Sequence, residues 1–490
     1  MSREKTRLKM KLKPRDANPE NREEASTTAR GGQFLPRGKK TFGPAGKISR
    51  PIPRDEDEMA DEETGVTRRN ARGRESDDLD PSDESFQRRM ETRDEKNARF
   101  TGGPVLPEVD FPASWTWFFD ECLPAWVKDH YSPKESWKGK PFTSEDGKFF
   151  LKGIRDLSDL FTDDRPKQLP DYLAHGKYRS SYMLYFLPLQ GAKFIALFNQ
   201  HSKAVDAAVA HGLETGTMRI MDLGAGPATA SIALLLNLLA RKGELPPKIE
   251  FVLFDQNSAI LKDGESLLRK IGESFPKMRG RVTVRLQVGD LWQTVLREKN
   301  DVSLALFGHT LNEYLPMRDG RPDPKPFSHI FSLLKFGGGI LWAEPAAKMP
   351  SQMLSQLRDY LFEEGLIEET PHRIWGPCLH SGRCPMAVGR DWCHFSIAGK
   401  IPGKWFGFFS KGLSKEKEWL KYSYLWITSE RDLNSSPIAP NLRLVLTDPL
   451  SRDPRAKKEV LLCEPEIPLR YTFSPTEFLR RGMKILLKNR

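Results

Sequence analysis

The feature that most constrains this chain is a turn, Asp222-Leu223-Gly224-Ala225-Gly226-Pro227-Ala228, set between two apolar stretches. An apolar run that ends on a carboxylate and passes through two glycines reads as a buried strand turning into a helix. Glycine has no Cβ, so at Gly224 and Gly226 the backbone can turn tightly and a ligand can approach it. Pro227 suits the first turn of the following helix, where a missing N–H costs nothing. Asp222, ending the strand, is placed to order the turn and to face the amino-acid end of a cofactor.

The pattern then repeats. Met218–Leu223, Ile249–Phe254, Val282–Leu286, Val302–Phe307 and Gly339–Ala343 read as strands. Pro227–Ala240, Ser258–Gly272, Phe327–Leu334 and Ser351–Glu364 read as helices. Such alternation predicts a largely parallel sheet covered on both faces, with ligands outside the carboxyl ends of the strands. Two further carboxylates fall at such ends. Asp255 closes the second strand, where it can accept hydrogen bonds from a ribose diol. Asp290 follows the third, where an adenine would lie. The turn is shorter than Gly-x-Gly-x-x-Gly, because position 229 is Thr, so S-adenosylmethionine is preferred over a dinucleotide. Ala228 stands where many methyltransferases have a third glycine, and its methyl is expected to crowd the cofactor. A strand–helix connection with no ligand is the plainer alternative.

Cysteine usage is the second informative feature. There are 5 cysteines, too few and too unevenly spread for a disulfide framework. Cys378, Cys384 and Cys393 share one Gly/Pro-containing loop with the spacing C-x5-C-x8-C, and Cys463, in an apolar run, can return to it. Four thiolates suit zinc or an iron–sulfur cluster. Zinc sites usually show C-x2-4-C pairs, and neither gap is that short. Cys384-Pro385 is similar to the Cys-Pro of ferredoxin cluster loops. His380 and His394 are possible replacement ligands, though histidines so placed more often support ligands or are simply exposed. Cys122 stands alone as an ordinary half-buried residue.

Composition divides the chain further. Residues 1–105 read as a disordered charged tail, with 15 Lys/Arg against 5 Asp/Glu over residues 1–54 and an acidic block after them. Residues 106–215 read as helical, 216–370 as the S-adenosylmethionine-binding domain, and 371–490 as the cysteine loop with a β-rich extension. Strands are expected there at His394–Ala398, Tyr422–Thr428, Leu442–Leu446, Glu459–Cys463 and Leu469–Phe473. A net charge of +11 suits a nucleic-acid or ribosomal partner, a statement about association and not about fold. No run approaches the roughly 18 apolar residues that cross a bilayer. No membrane partner and no disulfide-linked partner is expected, and the chain reads as a monomer. Acidic residues from Glu4 to Glu24 make the basic start a poor presequence. That favours a bacterial cytoplasm, with the mitochondrial matrix second.

Together these features resemble the ribosomal small-subunit methyltransferase-like family, which includes methyltransferase-like protein 17 of mitochondria and has bacterial relatives. The resemblance spans roughly 170–490. It is carried by the Asp222 to Pro227 turn, Leu311-Asn312-Glu313, the run Gly337 to Glu344-Pro345, Pro377-Cys378 to Cys384-Pro385, Trp392-Cys393-His394-Phe395 and the late Cys463. It implies a Rossmann-like class I methyltransferase domain with a C-terminal extension. It also implies a 4Fe–4S cluster on Cys378, Cys384, Cys393 and Cys463, and binding to small-subunit ribosomal RNA during assembly.

Two functions of different class follow. One is an rRNA methyltransferase, its catalysis resting on proximity and orientation. Asn312 and Glu313, with Tyr314, are the candidates there. The Asn/Asp-Pro-Pro-Tyr motif is missing, and no cysteine nucleophile stands at that strand end. The other is a catalytically inactive assembly factor using the fold as an RNA-binding scaffold, with Arg455 to Lys458 and Arg480, Arg481, Lys484, Lys488 and Arg490 as phosphate contacts. A zinc-containing small-molecule methyltransferase is a weaker third.

Overall fold

The computed structural model describes residues 107–162, 172–318, 321–367, 371–414, 417–429, 441–450, 458–474 and 479–487. The tail expected over 1–105 and the basic residues Arg455, Lys488 and Arg490 lie outside the described residues. No described helix is long and apolar enough to cross a membrane.

Helices come first: α1 (Leu123–Tyr131), α2 (Ser144–Thr162), α3 (Leu187–Gln200) and α4 (Ser202–Thr215). The turn Tyr182–Phe186 leading into α3 is π-helical. Gly216, in the left-handed conformation at φ 75°, stops α4 and releases the chain into the sheet.

The sheet is built from β1 (Thr217–Leu223), β2 (Lys248–Asp255), β3 (Val282–Val288) and β4 (Val302–Gly308). A small hairpin, β5 (Met317–Arg318) with β6 (Arg321–Pro322), precedes β7 (Leu334–Pro345). Then come β8 (His372–Gly376), β9 (Phe395–Ala398) and β10 (Trp419–Ser429). The spatial order is β3-β2-β1-β4-β7-β10-β8, with β9 also on β10. The first five strands are parallel, and Leu223 lies between Phe254 on β2 and Phe307 on β4. β10 runs antiparallel to both β7 and β8. A parallel doubly wound sheet with one reversed strand inserted next to the edge is the class I methyltransferase architecture. The order reverses direction between β1 and β4, which opens the ligand crevice at their carboxyl ends.

The crossovers are α5 (Thr229–Ala240), α6 (Ser258–Ser274), α7 (Leu291–Val295), α8 (Pro324–Leu333) and α9 (Lys348–Glu363). α5 is apolar almost all round because it lies between the sheet and the N-terminal helices; Leu234, Leu235, Leu236 and Leu238 are all fully buried. α6 has one apolar stripe and caps itself with Asn257, whose side chain accepts the N–H groups of Ala259 and Ile260. The opposite face of the sheet carries α7, α8 and α9, packed through Trp292, Phe327 and Leu357. After β9, α10 (Lys404–Gly412) packs back onto α2, where Gly412 meets Leu151.

Two differences from the sequence reading matter. The sheet does not stop near residue 371. β8 and β10, both beyond it, complete the sheet, and the cysteine loop is the connection between β8 and β9. Beyond them β11 (Leu442–Leu444), β12 (Lys458–Leu462), β13 (Leu469–Phe473) and β14 (Lys484–Leu486) form two small antiparallel pairs around Val445, Val460, Leu462 and Phe473. Second, Pro227 is not in the first helical turn. It lies in the turn itself, and Ala228 precedes α5 at φ 63°.

Candidate functional site

The glycine turn is stitched to β2 by its own backbone. Gly224 and Ala225 N–H both donate to Phe254 O at 2.9 Å. Gly226 N–H donates to Asp255 Oδ2 at 3.0 Å, and Asn257 N–H to Asp255 Oδ1 at 2.9 Å. Gly224 has to be glycine twice over. Its φ is 73°, and a Cβ there would lie 2.5 Å from Thr310 Oγ1. Thr310 Oγ1 itself donates to Leu223 O at 2.7 Å, tying the end of β4 to the turn. At Gly226, φ 52°, nothing stands within 4 Å of where a Cβ would be, so this side of the turn is open to a ligand. The Ala228 methyl points elsewhere: it faces α6 at Gly264, whose own missing Cβ makes the room. The crowding of a cofactor expected from Ala228 therefore has no basis in where its methyl lies.

The three carboxylates occupy different environments. Asp222 is buried and turns inward, accepting Ser231 Oγ at 2.7 Å and Ser231 N at 3.2 Å. Burial pushes its carboxyl up to about 7. It orders the start of α5, as expected of the turn, but it is turned away from solvent. Asp255 stands at the crevice mouth, half-buried. Asp290 caps α7 by accepting Gln293 N–H at 2.9 Å and accepts Tyr314 Oη at 2.5 Å. That bond, with partial burial, raises Tyr314 to about 12. A polar cavity of about 450 Å³ opens beside them, lined by Asp290, Trp292, Tyr314, Met317 and Lys325 among others.

Asn312 and Glu313 part company after β4. Glu344, at the end of β7, is 0% exposed and accepts the N–H groups of Leu311 at 3.0 Å and Asn312 at 3.4 Å. With its amide nitrogen as donor, the Asn312 side chain bonds Glu344 Oε2 at 3.0 Å and His309 O at 2.7 Å. Asn312 is therefore a structural clasp, while Glu313 is exposed. Burial lifts Glu344 to about 8.

Sequence reasoning missed two residues here. Tyr182, in the π-helical turn, is pushed up by burial and by the nearby Glu313 and Asp255 carboxylates, which puts the N-terminal helical region near the ends of β2 and β4. π-Helical turns inside helices often mark functional positions, but nothing in the local sequence announces one. His309 takes φ 61° directly after β4, a conformation a non-glycine residue rarely holds. Burial holds its ring well below the usual range, and Nε2 has no hydrogen-bond partner.

The cysteines form the second part of the site. Cys378, Cys384, Cys393 and Cys463 line one small cavity between α9, β10 and the β11–β12 region. All four are unbridged thiols. Cys463 follows β12, and its N–H donates to Leu444 O at 2.8 Å, which returns it to the loop. Burial pushes all four thiols up, Cys384 to about 11, and each of Cys384, Cys393 and Cys463 is raised further by neighbouring cysteines. Cys122 is buried in the N-terminal core, away from this set.

Among the described residues, no three His, Cys, Asp or Glu side chains converge as the ligands of a single ion would. The thiols stand around a cavity and do not meet at one point. The cavity, about 30 Å³, is far below the few hundred Å³ of an organic-ligand pocket. Its donor chemistry fits a small inorganic group bonded through sulfur. Of the histidines, His380 Nε2 lies 3.2 Å from Cys463 Sγ, and His394 Nδ1 accepts from Arg481 at 2.9 Å. Arg481 also faces Asp448 at 3.8 Å and is turned into the fold, whereas Lys484 on β14 stays exposed.

The loop is fastened along α9 and β7. Gln352 donates to the carbonyls of Gly389 and Asp391, Gln356 to that of Ala387 at 2.8 Å, and Trp392 Nε1 to Ala346 O at 2.6 Å.

Sheet order and site define a class I methyltransferase-fold protein with a four-cysteine cavity built into its sheet. The chain belongs to the mitochondrial small ribosomal subunit Rsm22 family, whose profile matches residues 192–469. Comparison with curated proteins finds no match. Solved structures that resemble it include an arsenic(III) S-adenosylmethionine methyltransferase from Chlamydomonas reinhardtii (12% identity, 54% of this chain and 79% of that one, TM-score 0.26). Geranyl diphosphate methyltransferase (12%, 49% and 90%, TM-score 0.23) and mitomycin 7-O-methyltransferase (17%, 42% and 55%, TM-score 0.24) are others. Likeness at this level carries nothing about substrate, and the fold assignment rests on the strand order.

Proposed function

We propose that this is an S-adenosylmethionine-binding, methyltransferase-like protein of the small ribosomal subunit that carries a 4Fe–4S cluster on Cys378, Cys384, Cys393 and Cys463. It acts on or binds small-subunit ribosomal RNA during ribosome assembly. The observation that carries the reading is the shared cavity of four thiols drawn from two distant chain segments. The cluster, when bound, supplies multivalent cationic charge that keeps the four sulfurs as thiolates and cross-links the loop to β12. The open face of Gly226 beside Asp255 is the place for the cofactor, with Asp255 toward the ribose and Asp290 toward the adenine. The family's description supports a mitochondrial setting over the bacterial cytoplasm expected from the N-terminus.

A second reading keeps the fold as an inactive RNA-binding scaffold. It is favoured by the inward bonds of the site: Asp222 serves Ser231 and Asn312 serves Glu344. Isothermal titration with S-adenosylmethionine, paired with methylation of small-subunit particles from a deletion strain, separates the two. Binding heat with methyl transfer supports the enzyme; neither supports the scaffold. Anaerobic purification giving a brown protein with broad visible absorption supports the cluster, and a colourless zinc protein refutes it.

A further inference from the structure

The cysteine cavity contains one group that its thiols do not explain. Arg358, on α9, lines the cavity with its side chain 2% exposed. A guanidinium stays charged at any accessible pH, and burying it is costly without a compensating anion. Its Nη1 donates to Gly382 O at 2.6 Å and its Nη2 to His380 O at 2.5 Å, both in the cysteine loop. It pairs with Asp359 at 2.5 Å and lies over the Phe362 ring at 4.5 Å. Asp359 also accepts the Cys384 N–H at 3.0 Å on both oxygens, so the ion pair itself is tied to the cysteine loop. Arg358 Nε is buried without a partner. Asp359 compensates one side of the guanidinium, while the side that lines the cavity meets the cysteines; four thiolates around an inorganic group carry net negative charge that this side would face.

We propose that Arg358 is a positioning residue for the sulfur-bound group: a fixed counter-charge that also sets the loop carbonyls of His380 and Gly382. This rests on the cluster reading above. The guanidinium holds the two carbonyls on two separate nitrogens of one rigid plane, a spacing that the single nitrogen of an ammonium does not reproduce, whereas either side chain supplies the charge. Charge and geometry are thus separable by substitution.

The test uses the full chain, purified anaerobically, as wild type, R358K and R358Q. Iron per chain, the rate of iron loss to a ferrous chelator, and the midpoint potential of a dithionite titration followed by electron paramagnetic resonance are read. R358Q is expected to favour the oxidised form at least tenfold more than wild type, about 59 mV lower for one electron. It should also lose iron at least tenfold faster. R358K is expected to keep the potential within that tenfold and still lose iron faster. An iron-loaded R358Q with wild-type potential and wild-type iron loss overturns the role of Arg358 alone. If R358Q fails to fold, R358K losing iron at the wild-type rate overturns it instead. Wild-type chain without iron removes the cluster reading and this inference with it.

Discussion

Glu344→Gln isolates the clasp between β7 and the loop after β4. The folded-state carboxyl titrates at about 8 against an ordinary 4.5, because it is fully buried. Between those values the folded chain holds a proton that the unfolded chain has released. Stability therefore falls as pH rises from about 4.5 and levels off above about 8. The slope from this one group is about 1.4 kcal/mol per pH unit, and about 5 kcal/mol over the window is an upper bound. Asp222 has the same sign, but its window ends at about 7, so between pH 7 and 8 Glu344 stands alone of the two. Gln keeps one of the two acceptor oxygens, enough for the Leu311 N–H but not for the Asn312 groups on Oε2, so it lowers stability at every pH, and it has no proton to lose. Thermal unfolding followed by tryptophan fluorescence from pH 5 to 8.5 should show wild type falling more steeply than E344Q, by roughly 2 °C per kcal/mol. Parallel curves would refute the assignment of a buried, protonated Glu344.

Three further outcomes follow. G224A combines a positive φ with a Cβ 2.5 Å from Thr310 Oγ1, so it should destabilise by about 2–4 kcal/mol in thermal melts, and adding T310A should recover only the steric part. C384S and C463S should each lower bound iron after anaerobic purification and make the C-terminal region more sensitive to limited proteolysis; unchanged iron in either counts against the four-cysteine set. W392F removes the bond to Ala346 O and should cost about 1 kcal/mol, read as a lower melting temperature with iron content retained.

The fold was readable because each local signal agreed with the next. Strands expected at Ile249–Phe254 and Val302–Phe307 extend by only one or two residues in the structure, since continuous apolar runs between helices have few alternatives. β8, His372–Gly376, carries too little apolar periodicity to announce itself; pairing with β10 makes it a strand. The cysteines were readable as a set because loop thiols seldom cluster for packing. Arg358 was not, because an arginine on an amphipathic helix looks solvated until the loop is seen to cover it. Glu344 stood out only as part of a motif; its burial, which lifts the carboxyl, and its contact with the Leu311 N–H 33 residues away belong to the folded chain alone. Ala228 was misread because the direction of its methyl depends on a left-handed φ that sequence favours only for glycine.

The position of β10 between β7 and β8 sets an order of events. The loop with Cys378, Cys384 and Cys393 leaves the ribosome before the strand that encloses it, and Cys463 follows 70 residues after Cys393 (463 minus 393). At about 5–20 residues per second that interval is roughly 4–14 s. During it, three thiols wait on an unfinished sheet, open to oxidation and to metal capture. Only when β10 is inserted and β12 delivers the fourth sulfur can the cavity close.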